Sequence, residues 1–462
     1  MGILSIGGLA TGLDTNTIVD QLVALERRRA VGSLQTQKLE AEAHEIALQS
    51  FNTRILTLLT AVDKLRDAND VLARKATSSN TDLVTASAAN GAAPGATSIT
   101  VTAVAQGAIA TSATGTASVD DTVASGSGSF AFQVGSGSVQ SVALDTSTTL
   151  QGLATSINEL NAGVTATVIN IGTESTPDHR LHLATAGTGL SNNLAIITDD
   201  TTLGVAVTQG AANASFTISG FAAPLSRETN SFDDVLPGVT LNLLGTGGPT
   251  AVTVTTDADA TAGLVDDVVK AYNDLVAFVA AESNVEQITD SEDRDVSAGP
   301  LAFDRTVDSI LDSLRANVSD PVSGLPGAYS ILAQLGVDTQ QDGTLAFDQV
   351  EFKEALASDE AALSQLLGGT GGVDGVADRL HDYLSGVTQA GGLIEISTGS
   401  LSDRITSLED RILAGERNLD QFEDSLRASF VSLEVLVSSL QTQGAFLQSF
   451  FGTNQNSNGN GR

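Results

Sequence analysis

Hydrophobic side chains at the two ends of this 462-residue chain recur every three or four residues, whereas between the ends they alternate with polar ones. The first spacing is that of a helix face and the second that of a half-buried strand. Near the N-terminus, Leu13-Asp14-Thr15-Asn16-Thr17 offers capping side chains. Ile18, Leu22 and Leu25 follow at helical spacing, and this helix is expected to end near Val31-Gly32. A second helix is expected from about Ser33, with a seam of Leu48, Phe51, Ile55, Leu58, Val62 and Leu65. The same heptad traced backwards meets Leu34, Gln37, Ala41 and His44, a softer seam.

The C-terminal pattern is longer. Leu401, Ile405, Leu408, Ile412, Gly415, Leu419, Phe422, Leu426, Ser429, Leu433, Leu436, Leu440, Gln443 and Leu447 keep an alternating heptad step, interrupted only by Gly415, Ser429 and Gln443. At 1.5 Å per residue this is roughly 70 Å of helix. So long and narrow a stripe predicts coiled-coil pairing rather than one amphipathic helix on a globular core. The expected pairing sets residues 48–65 against part of 401–447.

Between about Thr77 and Thr256 the chain is dense in Thr, Val, Ala, Ser and Gly, with runs such as Ser98-Ile99-Thr100-Val101-Thr102-Ala103-Val104 and Val252-Thr253-Val254-Thr255. Breaks such as Gly126-Ser127-Gly128-Ser129 and Gly245-Thr246-Gly247-Gly248-Pro249 punctuate them, which predicts antiparallel strands joined by polar turns. One short helix is expected around Thr149 to Leu160. After Asp257, helical spacing returns in Leu264, Val268, Tyr272, Leu275 and Phe278. The expected class is α+β and multidomain, with an antiparallel leg of N- and C-terminal helices and an inserted β-rich head.

Composition narrows the chemistry. Hydrophobic residues reach 41%, enough for cores, yet there is no Trp and no Cys. Disulfides, thiolate metal sites and a Cys nucleophile are thereby excluded. Net charge is −33. Residues 1–77 carry nine basic and nine acidic side chains, 78–256 two and twelve, and 257–462 eleven and thirty-four. No segment offers the basic footprint that nucleic acid or anionic lipid requires. The apolar opening MGILSIGGLA has no preceding positive charge, the first being Arg27, so a cleavable signal peptide is not expected. No charge-free apolar run is long enough to span a membrane.

Candidate catalytic motifs fail residue by residue. His44-Glu45-Ile46-Ala47-Leu48 places Leu where a second zinc-binding His belongs, and its heptad position accounts for it. His179 and His182 beside Asp178 lack further ligands. Gly7-Gly8-Leu9-Ala10-Thr11-Gly12 continues as Leu13-Asp14, without the Lys and Ser/Thr of a phosphate loop. Asp338-Thr339-Gln340-Gln341-Asp342-Gly343 starts like a calcium loop but reaches Gln349 where Glu is needed, so an Asp-Gly turn between short strands is expected. Arg27-Arg28-Arg29 complements a helix C-terminus. No cofactor and no enzymatic site are expected.

One opening segment is distinctive. Ile6-Gly7-Gly8-Leu9-Ala10-Thr11-Gly12-Leu13-Asp14-Thr15-Asn16-Thr17-Ile18-Val19-Asp20-Gln21-Leu22 closely resembles the start of the flagellar hook-associated protein 2 family, the bacterial flagellar filament caps; Gly12, Leu13, Asp14, Ile18 and Leu22 are taken as its motif residues. Gly95-Ala96-Thr97-Ser98-Ile99-Thr100-Val101 looks like the family's first head strand. The stretch from Leu150 to Val168 is similar to the Ile-Asn motif of flagellins and hook-associated proteins, with Ile157-Asn158 at its centre. The resemblance continues in Phe232-Asp233-Asp234-Val235-Leu236-Pro237-Gly238-Val239-Thr240-Leu241, Ala271-Tyr272-Asn273-Asp274-Leu275, Gly299-Pro300-Leu301 and Asp342-Gly343-Thr344-Leu345. The proline usual between the family's first two helices is replaced by Ala30-Val31-Gly32, which leaves that corner looser.

The resemblance implies a ring-shaped homo-oligomer whose helical legs enter the filament tip, extracellular, retaining and helping to polymerise flagellin. It also implies export by the flagellar type III apparatus, with a chaperone on the C-terminal helix beforehand. Alternatives are a hook–filament junction protein or a surface adhesin binding host glycans through the head. The implied division is a leg at 1–77, an inner head domain at 78–105 and 213–256, and an inserted outer head domain at 106–212. A helical core at 257–400, a coiled-coil leg at 401–451 and a disordered tail at 452–462 complete it.

Overall fold

A computed structural model describes residues 14–66, 71–287 and 296–453. The chain opens in α1 (Thr15–Ala30) and α2 (Gly32–Asp63). The expected leg to residue 77 is corrected by β1 (Arg74–Ser78), which pairs in antiparallel register with Thr256 to Val252. Its side chains alternate in burial, the period of a strand rather than of a helix.

The head is built from β2 (Val84–Ala88), β3 (Gly95–Ala103), β4 (Ile109–Ser112), β5 (Gly128–Val134), β6 (Gln140–Leu144), α3 (Leu150–Glu159), β7 (Val164–Asn170), β8 (His179–Thr185), β9 (Leu194–Asp199), β10 (Val205–Gln209), β11 (Ala214–Ile218), β12 (Leu225–Arg227), β13 (Ser231–Leu236), β14 (Val239–Leu243) and β15 (Gly247–Thr256). Two sheets, ordered β1-β15-β3-β11-β12 and β13-β14-β2, enclose one core containing Ile99, Phe216 and Leu241. Phe216 stacks on Phe232 at 5.0 Å between ring centroids. Two further sheets, β10-β4-β8-β7 and β6-β5-β9, enclose a second core with α3, built on Phe130, Phe132, Leu153 and Ile157. Thr149 caps α3 by accepting from the Gly152 amide.

The chain passes between these cores at one antiparallel bridge, Gln106 with Ala212. Beside it, the side-chain amide of Asn230 donates to the Ala105 carbonyl at 2.9 Å and accepts from the Ala105 N–H at 2.6 Å. Asn213 accepts from the Leu190 amide, and Glu228 accepts from the Ser191 hydroxyl.

After the head come α4 (Ala258–Glu282), a hairpin of β16 (Val285–Gln287) and β17 (Val296–Ala298), and α5 (Arg305–Ser319). A second hairpin, β18 (Val337–Thr339) with β19 (Leu345–Phe347), turns at Gly343, whose φ of 84° suits glycine. Then follow α6 (Gln349–Ser358), α7 (Glu360–Gly368), α8 (Val376–Thr388) and α9 (Leu393–Thr453). Asn273 of α4 clamps Leu345 of β19, donating to its carbonyl at 2.8 Å and accepting from its N–H at 2.7 Å.

Contacts divide the chain into two compact units. One comprises described residues of Met1–Arg66, Asp266–Glu351 and Gly369–Arg462; the other those of Asp67–Val265 and Phe352–Gly368. The antiparallel terminal helices belong to the first unit and the β-rich head to the second. Of the tail expected at 452–462, Gly452 and Thr453 are instead the end of α9, and residues 454–462 lie outside the described residues.

Candidate assembly surface on the helical leg

The leg starts with a cap. Asp14 accepts from the Thr17 amide at 3.2 Å and from the Thr17 hydroxyl at 2.6 Å. The hydroxyl bond is the larger influence holding the Asp14 carboxyl below its usual range, followed by the amide bond. Gly12 and Leu13, the motif residues before it, lie outside the described residues. The face that α1 buries is Thr15, Val19 and Val23. Of the expected face, Ile18 is half-buried while Leu22 and Leu25 are exposed. The apolar spacing marked a helix correctly, but packing against α9 chose the face one residue away.

The break expected near Val31-Gly32 is present, with α1 ending at Ala30, α2 beginning at Gly32 and Val31 between them. That residue keeps right-handed helical angles, its amide donates to the Arg27 carbonyl at 2.9 Å, and its carbonyl accepts from Gln35 at 3.0 Å. The corner is thus a single-residue joint between α1 and α2. Val31 itself is fully buried, and Gly415 of α9 explains how: a Cβ on Gly415 would lie 3.0 Å from Val31 Cγ2. The glycine read as a break in the heptad is the recess that receives Val31.

Polar contacts fix the alignment around this recess. Arg27 pairs with Glu416 at 2.9 Å, and Lys38 with Glu409 at 3.1 Å. Arg427 donates to Asn16 at 3.1 Å and pairs with Asp20 at 3.4 Å. Bonds to Glu42 and then Glu409 raise the Lys38 pKa. Numbers rise on one helix as they fall on the other, so the pairing is antiparallel. These bridges lie at the surface where water screens them, so their role is alignment more than energy.

The alignment corrects the expected partners. Residues 401–426 face α1 and the first part of α2, the seam that looked softer. Leu48, Phe51, Ile55, Leu58, Val62 and Leu65 are all buried, but against α8, the start of α9 and the rest of the unit's core. Arg66 pairs there with Asp378 at 3.3 Å, and His381 approaches Asp63 at 3.4 Å. His44, read as a seam residue, instead meets Asp304 at 2.7 Å; Asp304 caps α5 through the Thr306 and Val307 amides. The six large apolar residues therefore form a base, and smaller side chains suffice where only one helix faces α9.

Along α9, Leu401, Leu408 and Leu419 are buried, Ile405, Ile412 and Leu426 half-buried, and Phe422 is 39% exposed. Beyond that the seam is bare: Leu433 is 47% exposed, Leu436 58%, Leu440 56% and Leu447 52%. Val431, Val435 and Phe446 are also exposed, on the side of the helix away from this seam. Charge disappears at the same place: eleven charged side chains stand between Leu401 and Arg427, and one, Glu434, from Ala428 to Thr453. An exposed apolar stretch without flanking charge is an interaction surface.

No helix among the described residues is long and apolar enough to cross a membrane, and no three of their His, Asp or Glu side chains gather as a metal site.

Comparison with known proteins follows the same division. Residues 11–108 match the family profile described as flagellar hook-associated protein 2 N-terminus, and 211–442 the one described as its C-terminus. Residues 109–210, which carry most of the second head core, fall between the two matches. The chain is 28% identical to flagellar hook-associated protein 2 of Escherichia coli K12, covering 99% of this chain and 100% of that protein. It is 28% identical to the B-type flagellar hook-associated protein 2 of Pseudomonas aeruginosa, covering 94% of each. A crystal structure of three domains of the flagellar cap protein FliD from Escherichia coli superposes with a TM-score of 0.59 at 27% identity, over 77% of this chain and 99% of that one.

Proposed function

The chain belongs to the flagellar hook-associated protein 2 family, and on that premise we propose that it caps the flagellar filament. In this reading several copies assemble at the filament tip, outside the cell, retain exported flagellin and promote its polymerisation. The protein acts by shape and binding, with no chemical step of its own. Its legs enter the filament tip and its heads form the plate.

The observation that carries this reading is the far half of α9. It continues for more than twenty residues past the last half-buried seam leucine, Leu426, with leucines exposed and almost no charge. Such a helix is finished only by partners of like kind, which neighbouring copies and helical flagellin ends supply. The same surface needs cover before assembly, which fits a chaperone held on the C-terminal helix and passage through the type III export apparatus.

The test is a strain lacking the gene, complemented with the full chain or with a chain ending at Ser429. Flagellin is expected free in the medium in the deletion strain and with the short chain, and filaments are expected with the full chain. Normal filaments in the deletion strain would overturn the reading. Filaments grown with the short chain would show that the far half of α9 is not the part that matters.

A further inference from the structure

The outer lobe of the head has an open sheet edge, and one side chain closes it. β7 stands at the end of the order β10-β4-β8-β7, so among the described residues no strand pairs with its outer side. Backbone groups along such an edge are a template for another chain. The sequence of β7, Val164-Thr165-Ala166-Thr167-Val168-Ile169-Asn170, makes the hazard concrete: it is rich in β-branched residues and has no charge and no Pro. Ile169 and Ile171 are exposed beside it, 42% and 60%.

Asn158, near the end of α3, occupies the place of the missing strand. Its Nδ2 donates to the Ala166 carbonyl at 2.8 Å, and its Oδ1 accepts from the Ala166 N–H at 2.7 Å. Two bonds of opposite sense to one residue reproduce a hydrogen-bonded antiparallel pair. The local chain is shaped for it. Asn161, with φ 48°, and Gly163, with φ 74°, turn the backbone so that the end of α3 returns over β7. Ile157, fully buried in the outer-lobe core, holds that helix end in place. The same double bond recurs at Asn230 with Ala105, which lies outside the strands, and at Asn273 with Leu345 in the two-stranded β18-β19 hairpin; Asn158 makes it on the edge of a four-stranded sheet.

We infer that Asn158 is an edge plug, which stops the β7 strand of one copy from adding to a strand of a second copy. The Ile-Asn pair thereby acquires a division of labour. Ile157 anchors the helix to the core and Asn158 spends its amide on the edge. An amide is required because Asp offers no donor to the Ala166 carbonyl and Gln is one methylene longer. The device matters wherever heads are crowded together, since crowding raises the local concentration of open edges. The inference does not depend on the proposed cap function.

The test uses the purified full chain and its Asn158→Ala, Asn158→Asp and Asn158→Ala/Ala166→Pro variants. Sedimentation velocity across a hundredfold concentration range is read beside amide exchange of peptides spanning 164–170. The two single variants are expected to exchange at least tenfold faster there and to form concentration-dependent species larger than wild type. Proline at position 166 removes the outward N–H, a substitution an edge strand tolerates, so the double variant is expected to return to the wild-type size distribution. Two results would overturn the inference. In one, a deprotected edge leaves the size distribution unchanged. In the other, the double variant associates or unfolds as the single variants do, which would make Asn158 a residue of general stability instead.

Discussion

Filling Gly415 distinguishes the heptad pattern from the packed structure. Read as a heptad, Gly415 is a defect, and Leu there should complete the seam. In the structure its missing Cβ is the space that Val31 occupies, with Val31 Cγ2 at 3.0 Å from where the Cβ would stand. Two effects compete in Gly415→Ala. Helix propensity favours Ala by about 1 kcal/mol, whereas forcing a methyl into packed surroundings costs about 1–3 kcal/mol. Val31 is fully buried and β-branched, hence stiff about χ1, so it yields little. The net expectation is a loss of up to about 2 kcal/mol for Gly415→Ala and about 3 kcal/mol for Gly415→Leu. Gly399 on the same helix has nothing within 4 Å of its would-be Cβ, so Gly399→Ala should gain about 1 kcal/mol instead. Thermal melts followed by circular dichroism at the helix band read the difference, since about 1 kcal/mol moves the midpoint by roughly 2–4 °C in a unit of this size. In a Val31→Ala background the clash is gone and Gly415→Ala should turn stabilising, a coupling that a double-mutant cycle isolates. A Gly415→Leu chain that melts above wild type, or equal shifts for Gly415→Ala and Gly399→Ala, would refute the recess at Gly415.

Two further outcomes are expected. Asn273→Asp keeps an acceptor for the Leu345 N–H but turns the donor into a second acceptor facing the Leu345 carbonyl, so stability should fall by about 1–3 kcal/mol; urea titration at neutral pH checks it, and an unchanged midpoint would count against the clamp. Asp14 has a folded pKa below its unfolded value, so its cap contributes above the unfolded pKa of about 3.9 and is lost as pH falls through the folded one. Asp14→Asn keeps a capping oxygen that does not titrate. The variant should match wild type in helix content at pH 7 and exceed it at the acid end of a titration; superimposable curves would remove Asp14 from the acid response.

Several family-like blocks turn out to have local physical reasons. Asp342-Gly343-Thr344-Leu345 is a hairpin turn whose last residue receives Asn273, itself in another such block. Asp234 of the block in β13 pairs with Arg227 at 2.8 Å, and that guanidinium holds the Asp234 carboxyl below its usual range. The Asn273–Leu345 partnership could not be seen in the sequence because the two residues lie 72 positions apart, whereas Arg227 and Asp234 stand only seven apart and are brought together by the turn from β12 into β13.

The sequence by itself determined the element types and their order. Helical spacing at Leu48 to Leu65 and Leu401 to Leu447, and alternation between Thr77 and Thr256, follow from periods of 3.6 and 2 that each segment carries alone. It also determined the absence of thiol chemistry and the loss of charge beyond Arg427. What it left open was which helix meets which. A heptad specifies a face to be buried, and every heptad in the chain offers a similar one. Tertiary structure decided between them: Val31 packs against Gly415 while Arg27–Glu416, Lys38–Glu409 and Arg427–Asp20 pair around it, which sets 15–44 against 401–426 and leaves 48–65 to the base. The heptad at the far end of α9 likewise marks a face without naming its partner, and there Leu433, Leu436, Leu440 and Leu447 stand exposed.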